Sequence, residues 1–198
     1  SVTLPVSELE LIDSETGKVT DVFELETNRI ISGVSAGYNS FFYVDADGVI
    51  FAHDSSSGEL KWTKALEDVV LSEILVTSTL VFVQTSSDIL YGLDLQTGEI
   101  KWSKKAQSPL LSVRGTASPI IYEGLIFTSF SNGRLAAVRA ADGIQLWEKP
   151  ISRLKGSTEL EKLMDGDSNA ITVGEDVFAA NYNGCLLYTS DAADERLR

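Results

Sequence analysis

The stretch LYGLDLQTGEIKWSKK, Leu90 to Lys105, decides the fold. It places Gly98 four residues before Trp102. The same spacing recurs in SSSGELKWTKAL, with Gly58 and Trp62, and in AADGIQLWEKPI, with Gly143 and Trp147. These are the chain's 3 tryptophans, and three unrelated core tryptophans would not share a glycine offset. The offset therefore marks an internal repeat. Its period is 40 residues from Trp62 to Trp102 and 45 from Trp102 to Trp147.

Each unit reads as strand, turn, strand, turn, strand. FFYVDA, LVFVQT and LIFTSF are apolar with β-branched or aromatic residues, as strands prefer. Asp47-Gly48 and Asn132-Gly133 follow two of them and predict type I′ hairpins. The second unit carries Ser87-Asp88 there, a weaker turn. The next strand has a small residue at matched places, Ala52, Gly92 and Ala137, read as allowing neighbouring sheets to approach. An upstream strand such as ASPIIYEG completes four strands per unit. A four-stranded unit with a period of about 40–45 residues predicts an all-β fold, a β-propeller of antiparallel blades. The repeated tryptophan is then the apolar filling between blades. A fourth copy begins at EDVFAANYNG. A worn copy, LELIDSETGKVTDVFEL, keeps Gly17 but has Asp21 where tryptophan is expected. Three full units, one partial and one worn make an incomplete arc.

The chain has 198 residues, 43% hydrophobic and 23% charged, which predicts a globular protein. A net charge of −13 argues against nucleic acid and against charge-driven docking on an anionic bilayer. No apolar run approaches the roughly 20 residues of a membrane-spanning helix. No signal peptide is visible, and the start at Ser1 is read as processing or cutting. With Cys185 and His53 the lone cysteine and histidine, neither a disulfide nor a zinc cluster is predicted. His53 occupies the strand position of Leu93 and Val138 and reads as a tolerated substitution, not a base. No nucleophile–base pair and no phosphate loop can be assembled. The acidic group Glu159, Glu161, Asp165 and Asp167 lacks the calcium-loop pattern and reads as a solvated connector.

After Gly184 the repeat predicts an alternating strand and another Gly-x-x-x-Trp. The chain instead reads CLLYTSDAADERLR. Cys185 to Glu195 match the translation of a transposase-type sequencing-library adapter. We therefore expect residues 1–184 to be a partial propeller and residues 185–198 to be non-native, poorly packed beyond their first few residues.

The units resemble the pyrroloquinoline-quinone-type (PQQ-type) propeller repeat, with its signature Asp-x-x-Thr-Gly-x-x-x-Trp. DLQTGEIKW (Asp94, Thr97, Gly98, Trp102) fits it fully; DSSSGELKW lacks the threonine, and RAADGIQLW lacks both aspartate and threonine. This repeat signals a fold and not a function. PLLSVRGTASPII, ISRLKGSTELEKLMDGDSNAITV and VFAANYNG add a resemblance to the propeller lipoprotein of the bacterial outer-membrane β-barrel assembly machinery. It extends over Gln84 to Gly184. It implies a propeller of about eight blades, of which this chain is about half. It also implies a periplasmic protein tethered to the inner leaflet of the outer membrane through a lipidated N-terminal cysteine, which this stretch does not include. The implied partner is the barrel-inserting subunit, bound through its POTRA domains, with unfolded barrel proteins as clients. No chemistry, cofactor or metal is implied. The runner-up is a fragment of a PQQ-dependent quinoprotein dehydrogenase, which needs calcium, a catalytic aspartate and usually a vicinal disulfide. A sensor or kinase ectodomain built from the same repeat is the third class.

The connectors locate a candidate docking face. From each tryptophan to the next unit's first strand they span 10 positions (Trp62 to Ser72), 15 (Trp102 to Ala117) and 21 (Trp147 to Ser168). In up-and-down blades these connectors emerge on one face, and long loops on a rigid scaffold are where binding resides. The second holds Leu111 and Val113 beside Arg114, and the third holds Asp165 and Asp167. An apolar anchor flanked by arginine and acids suits a protein–protein contact. In the resembled lipoprotein the matching positions contact a POTRA domain. Alternatively Arg114 pairs internally with Asp165 or Asp167 and ties the two loops together. A helical turn is expected near Ser157 to Leu163.

Overall fold

The computed structural model describes residues 7–25, 27, 29–106, 117–151, 169–174, 176–180 and 186–189. Strands β1 (Glu8–Ile12) and β2 (Val19–Glu24) form an N-terminal antiparallel pair. The first full blade follows as β3 (Ser35–Gly37), β4 (Ser40–Val44), β5 (Val49–Asp54) and β6 (Leu60–Ala65). The second is β7 (Leu75–Val76), β8 (Leu80–Gln84), β9 (Ile89–Asp94) and β10 (Ile100–Lys105). The third is β11 (Ile120–Tyr122), β12 (Leu125–Phe130), β13 (Arg134–Arg139) and β14 (Gln145–Pro150). A three-stranded sheet, β15 (Ile171–Val173), β16 (Asp176–Ala180) and β17 (Leu186–Thr189), follows. Strands pair in sequence order in every sheet, all antiparallel. Among the described residues there is no helix, and the sheets form an open arc of a propeller. The helical turn expected near Ser157 to Leu163 lies outside the described residues. So does most of the tail from Cys185 onward, where Leu186–Thr189 pairs with β16.

The second strand of each blade is apolar on both faces because each face meets another sheet. On β4, Phe41 and Tyr43 face the N-terminal pair, where they pack with Leu25 and Phe51. Phe42 and Val44 face the second blade and meet Val81 and Val83 of β8. Phe82 turns the other way, into a cluster with Ile126 and Val138 of the third blade. Phe127 and Leu125 then meet Val177 and Ala179 of the last sheet. A period of two thus gives each strand two cores. At about 25 cal/mol per Å² of apolar surface buried, these interfaces hold the arc together.

The hairpins between second and third strands differ from the type I′ expectation. Gly48 and Gly133 have positive φ (77° and 69°), but Asp47 and Asn132 do not. Gly48 N donates to Asp45 O and Gly133 N to Phe130 O. A single left-handed residue closes each turn, the form with a glycine bulge rather than the two-residue loop. Asp88 takes that position in the second blade with φ 60°.

Candidate functional site

Strand order places the connector from one blade to the next on the same face as the hairpin between second and third strands. The connectors' first residues are hydrogen-bonded to those hairpins: Leu66 N to Gly48 O, Ala106 N to Asp88 O and Ile151 N to Gly133 O, at 2.9–3.0 Å. Near the innermost strands the connectors are also tied laterally. Ile74 N donates to Ser35 Oγ (3.1 Å), Glu73 N to Ser118 Oγ (3.0 Å) and Ser118 N to Asn169 Oδ1 (2.6 Å). This chain of bonds crosses from the first blade to the last sheet. The sequence-predicted docking residues Leu111, Val113, Arg114, Asp165 and Asp167 lie outside the described residues; the frame that holds their connectors is described.

The opposite face carries the Gly-x-x-x-Trp turns. Trp62 is buried, with its ring against Gly98 of the next blade and its Nε1–H donating to Leu95 O at 3.0 Å. Trp102 lies likewise against Gly143 and donates to Ala140 O at 3.0 Å. Trp102 and Trp147 are half-buried, more open than Trp62. Trp102 sits on an outer strand whose flanking residues, Lys101 and Ser103, are exposed. The turn that would cover Trp147 falls after β17, outside the described residues.

The matched small residues serve a different purpose from the one expected. Ala52, Gly92 and Ala137 are the register partners of Trp62, Trp102 and Trp147 on the neighbouring strand of the same blade. Phe42, Phe82 and Phe127 pair with them from the other side. Each phenylalanine reaches over the small residue to touch the tryptophan, with ring centroids 5.7–5.9 Å apart. The small side chain makes room for the indole within its own blade; a Cβ at Gly92 would collide with Trp102. In the worn unit Phe23 supplies the missing aromatic. It lies two residues beyond Asp21, on the same face of β2, and its ring occupies the space over Gly58.

The acidic side chains of this face cap turns. Asp13 Oδ1 accepts from Thr16 N and Oγ1, Asp54 Oδ1 from Ser56 N and Ser57 N, and Asp94 Oδ1 from Gln96 N and Thr97 N. A hydrogen bond from Lys61, with the Ser56 and Ser57 amides, lowers Asp54 to about 2. The third unit lacks the aspartate and has Arg139 in its place, which grips Asp142 with two guanidinium nitrogens at 2.6 and 2.8 Å. That pairing holds the Asp142 carboxyl below its ordinary value. Asp45 caps the turn to Val49. His53 is buried and stacked on Phe41 at 4.9 Å. Its Nδ1 lies 3.0 Å from Gly58 O, which can only accept, so Nδ1 carries the proton; Nε2 then accepts from the Tyr43 hydroxyl at 3.1 Å. Among the described residues no three histidine, cysteine or carboxylate side chains gather as metal ligands.

Antiparallel blades joined at three successive junctions by an aromatic seated on a turn glycine (Phe23 on Gly58, Trp62 on Gly98, Trp102 on Gly143) define a β-propeller protein built from PQQ-type repeats. The family model described as outer membrane protein assembly factor BamB matches residues 7–198, and the chain belongs to that family. The outer membrane protein assembly factor BamB of Yersinia pestis is 31% identical over 188 residues, covering 90% of this chain and 48% of the relative. That of Vibrio cholerae is 32% identical over 182 residues, covering 90% and 47%. The chain thus spans about half the length of the curated relatives it matches. The crystal structure of BamB from Moraxella catarrhalis superposes with a TM-score of 0.80 at 24% identity, covering 92% of this chain and 62% of that one, which supports the fold.

Proposed function

We propose that this chain is part of a noncatalytic scaffold of outer-membrane protein assembly, acting in the periplasm at the inner leaflet of the outer membrane. It docks through its connector face on the POTRA domains of the barrel-inserting subunit and assists delivery of barrel proteins for insertion. The observation that carries this reading is membership, over residues 7–198, of a family whose relatives are named outer membrane protein assembly factors. The local chemistry agrees with it. The described aspartates of the turn face and His53 are engaged in capping and packing, which suits a scaffold. The connectors leave the sheets on one face and are tied to one another there, which suits a contact surface.

The test is capture of the full-length protein by an immobilised POTRA fragment. Replacing Leu111→Ala together with Arg114→Ala abolishes capture while the circular dichroism spectrum stays β-rich. Unchanged capture removes this face from the reading.

A further inference from the structure

Each junction of the arc seats an aromatic ring over a left-handed glycine in the next unit. Three of these seats are filled within the chain: Gly58 by Phe23, Gly98 by Trp62 and Gly143 by Trp102. Two parts are left over, one toward each end of the arc. Gly17 has the same left-handed backbone, φ +67°, but no described residue lies within 4 Å of its added Cβ. Trp147 is the aromatic of the third full blade, and no glycine follows β17 in these 198 residues to seat it. An unfilled seat and an unseated ring are complementary.

The strands are left over in the same way. β1 and β2 flank the Gly17 turn as the third and fourth strands of a full blade flank theirs, but no described strand pairs with the inner edge of β1. β15 and β16 match the first and second strands of a blade. The third place, beside β16, is held by β17 with its 4 residues, and no fourth strand follows among the described residues. An outer half-blade thus opens the arc and an inner half-blade ends it. Exposed apolar side chains lie on the matching surfaces. Ile12 precedes its turn glycine by the same five positions as Leu93 and Val138 precede theirs. Those two are buried against the preceding blade, whereas Ile12 is 59% exposed. Val22, on the opposite face of β2 from Phe23, is exposed too. At the other end Ile171 pairs with Phe178 as Ile120 pairs with Phe127. Ile120 packs against the following sheet, whereas Ile171 and Val173 are exposed.

We propose that two copies of this chain close a ring, the β1–β2 pair of each completing the blade begun by β15–β16 of the other, with Trp147 of one copy seated on Gly17 of the other. In this arrangement β1 takes the place of β17 beside β16. The two half-blades and three full blades of one copy amount to about four, and two copies to about eight, within the range of closed propellers. Two copies also have about the length of one curated relative. Within a single copy the two ends form separate sheets, and the arc superposes on part of a longer propeller chain. Two-fold closure covers both exposed faces and leaves no sheet end open.

Sedimentation equilibrium of the 198-residue chain measures its mass, and the mass of two copies is expected. Ile12→Glu puts a charge into the junction. Ile12 is exposed within one copy, so this variant is expected to keep a β-rich circular dichroism spectrum and to sediment as one copy. Gly17→Ala adds a methyl group that meets no described residue within one copy but meets Trp147 of the other. It is expected to weaken association roughly tenfold or more. Gly124→Ala carries the same backbone cost away from any seat and is expected to associate like the parent. A disulfide reads the register. Ile126 pairs with Val138 in the third full blade, so Val177 of one copy is expected opposite Ile12 of the other. With Cys185→Ser in the background, Ile12→Cys together with Val177→Cys is expected to link two copies covalently, because opposed residues lie about 4.5–5.5 Å apart, within disulfide reach. A single-copy mass at every concentration overturns the proposal. Association that both Ile12→Glu and Gly17→Ala leave unchanged overturns it too, by placing the contact elsewhere. A disulfide that closes within one copy also overturns it, by showing that the chain closes on itself.

Discussion

Gly98→Ala puts the blade-to-blade lock under direct test. Gly98 has φ +68°, and a Cβ there would sit 2.5 Å from Cε3 of Trp62 and 2.7 Å from Cδ2. Two costs follow. The left-handed backbone with a Cβ costs about 1–2 kcal/mol. The indole must then move by about 1 Å to restore van der Waals contact, or the two blades must part. Trp62 cannot move freely, because Phe42 packs against its ring and its Nε1–H is bonded to Leu95 O at 3.0 Å. Overpacking of this kind costs about 1–3 kcal/mol. The expected total is about 3 kcal/mol, a large part of the 5–15 kcal/mol or so that stabilises a typical domain. Gly124→Ala is the control. Gly124 has φ +78° with nothing within 4 Å of its added Cβ among the described residues, so it carries the backbone cost alone. Urea unfolding followed by tryptophan fluorescence and far-ultraviolet circular dichroism gives both values. Gly98→Ala should exceed Gly124→Ala by about 2 kcal/mol, and adding Trp62→Phe should recover part of the excess in a double-mutant cycle. Equal costs at the two glycines would refute the claim that the turn glycine exists to seat the preceding blade's aromatic.

Two further outcomes are expected. Asp54 is lowered to about 2 from its ordinary 3.8, so its contribution is present above the unfolded value and is lost as pH falls from about 4 through 2; Lys61→Ala should move its NMR titration back toward 3.8, and an unmoved curve would sink the assignment to Lys61. His53→Leu, which installs the side chain of the matching position Leu93, should destabilise by about 1–2 kcal/mol because the Gly58 carbonyl and the Tyr43 hydroxyl lose their imidazole partner; a stabilised variant in urea unfolding would show those bonds to be dispensable.

The repeat was legible because the lock uses rare residues. Tryptophan and a left-handed glycine at a fixed offset survive in three units, and the period of two in FFYVDA, LVFVQT and LIFTSF announces strands. Three features hid from that reading for physical reasons. Phe23 stands six residues past Gly17 instead of four, because a strand presents the same face again two residues later, so it falls outside the Gly-x-x-x-Trp spacing. The small residues Ala52, Gly92 and Ala137 were noticed, but their neighbours across the strands, Phe42, Phe82 and Phe127, were needed to show whom they accommodate. Asp88 looked like a poor turn residue because its partner, Ser131, lies 43 positions away in the next blade. The candidate docking residues were legible only through connector length and family resemblance, since a loop that faces a partner follows no internal period.

The two faces of the arc divide the labour in a way that bears on function. On the Gly-x-x-x-Trp face, the polar groups of the turns point back into the fold: Asp13, Asp54 and Asp94 cap their own turns, and the Leu95 and Ala140 carbonyls receive indole N–H groups. Changing a residue there alters the seating of a whole blade, so that face has little freedom to diverge toward a ligand. On the connector face the first connector is built into the fold along its length: Asp68 accepts from Ser86 Oγ and Ser87 N, Val69 O accepts from Ser86 N, and Val70 is buried in the core between the first two full blades; for the two longer connectors the described bonds lie at their roots, Asp88 and Gly133, and at their exits, Ser118 and Asn169. The span from each tryptophan to the first strand of the next sheet grows along the chain, from 13 positions (Trp62 to Leu75) to 18 (Trp102 to Ile120) to 24 (Trp147 to Ile171). A scaffold that must recognise a partner while keeping its blades in register is therefore expected to keep its recognition on this face, and variants that lengthen or recompose residues 107–116 should change partner capture well before they change the unfolding midpoint.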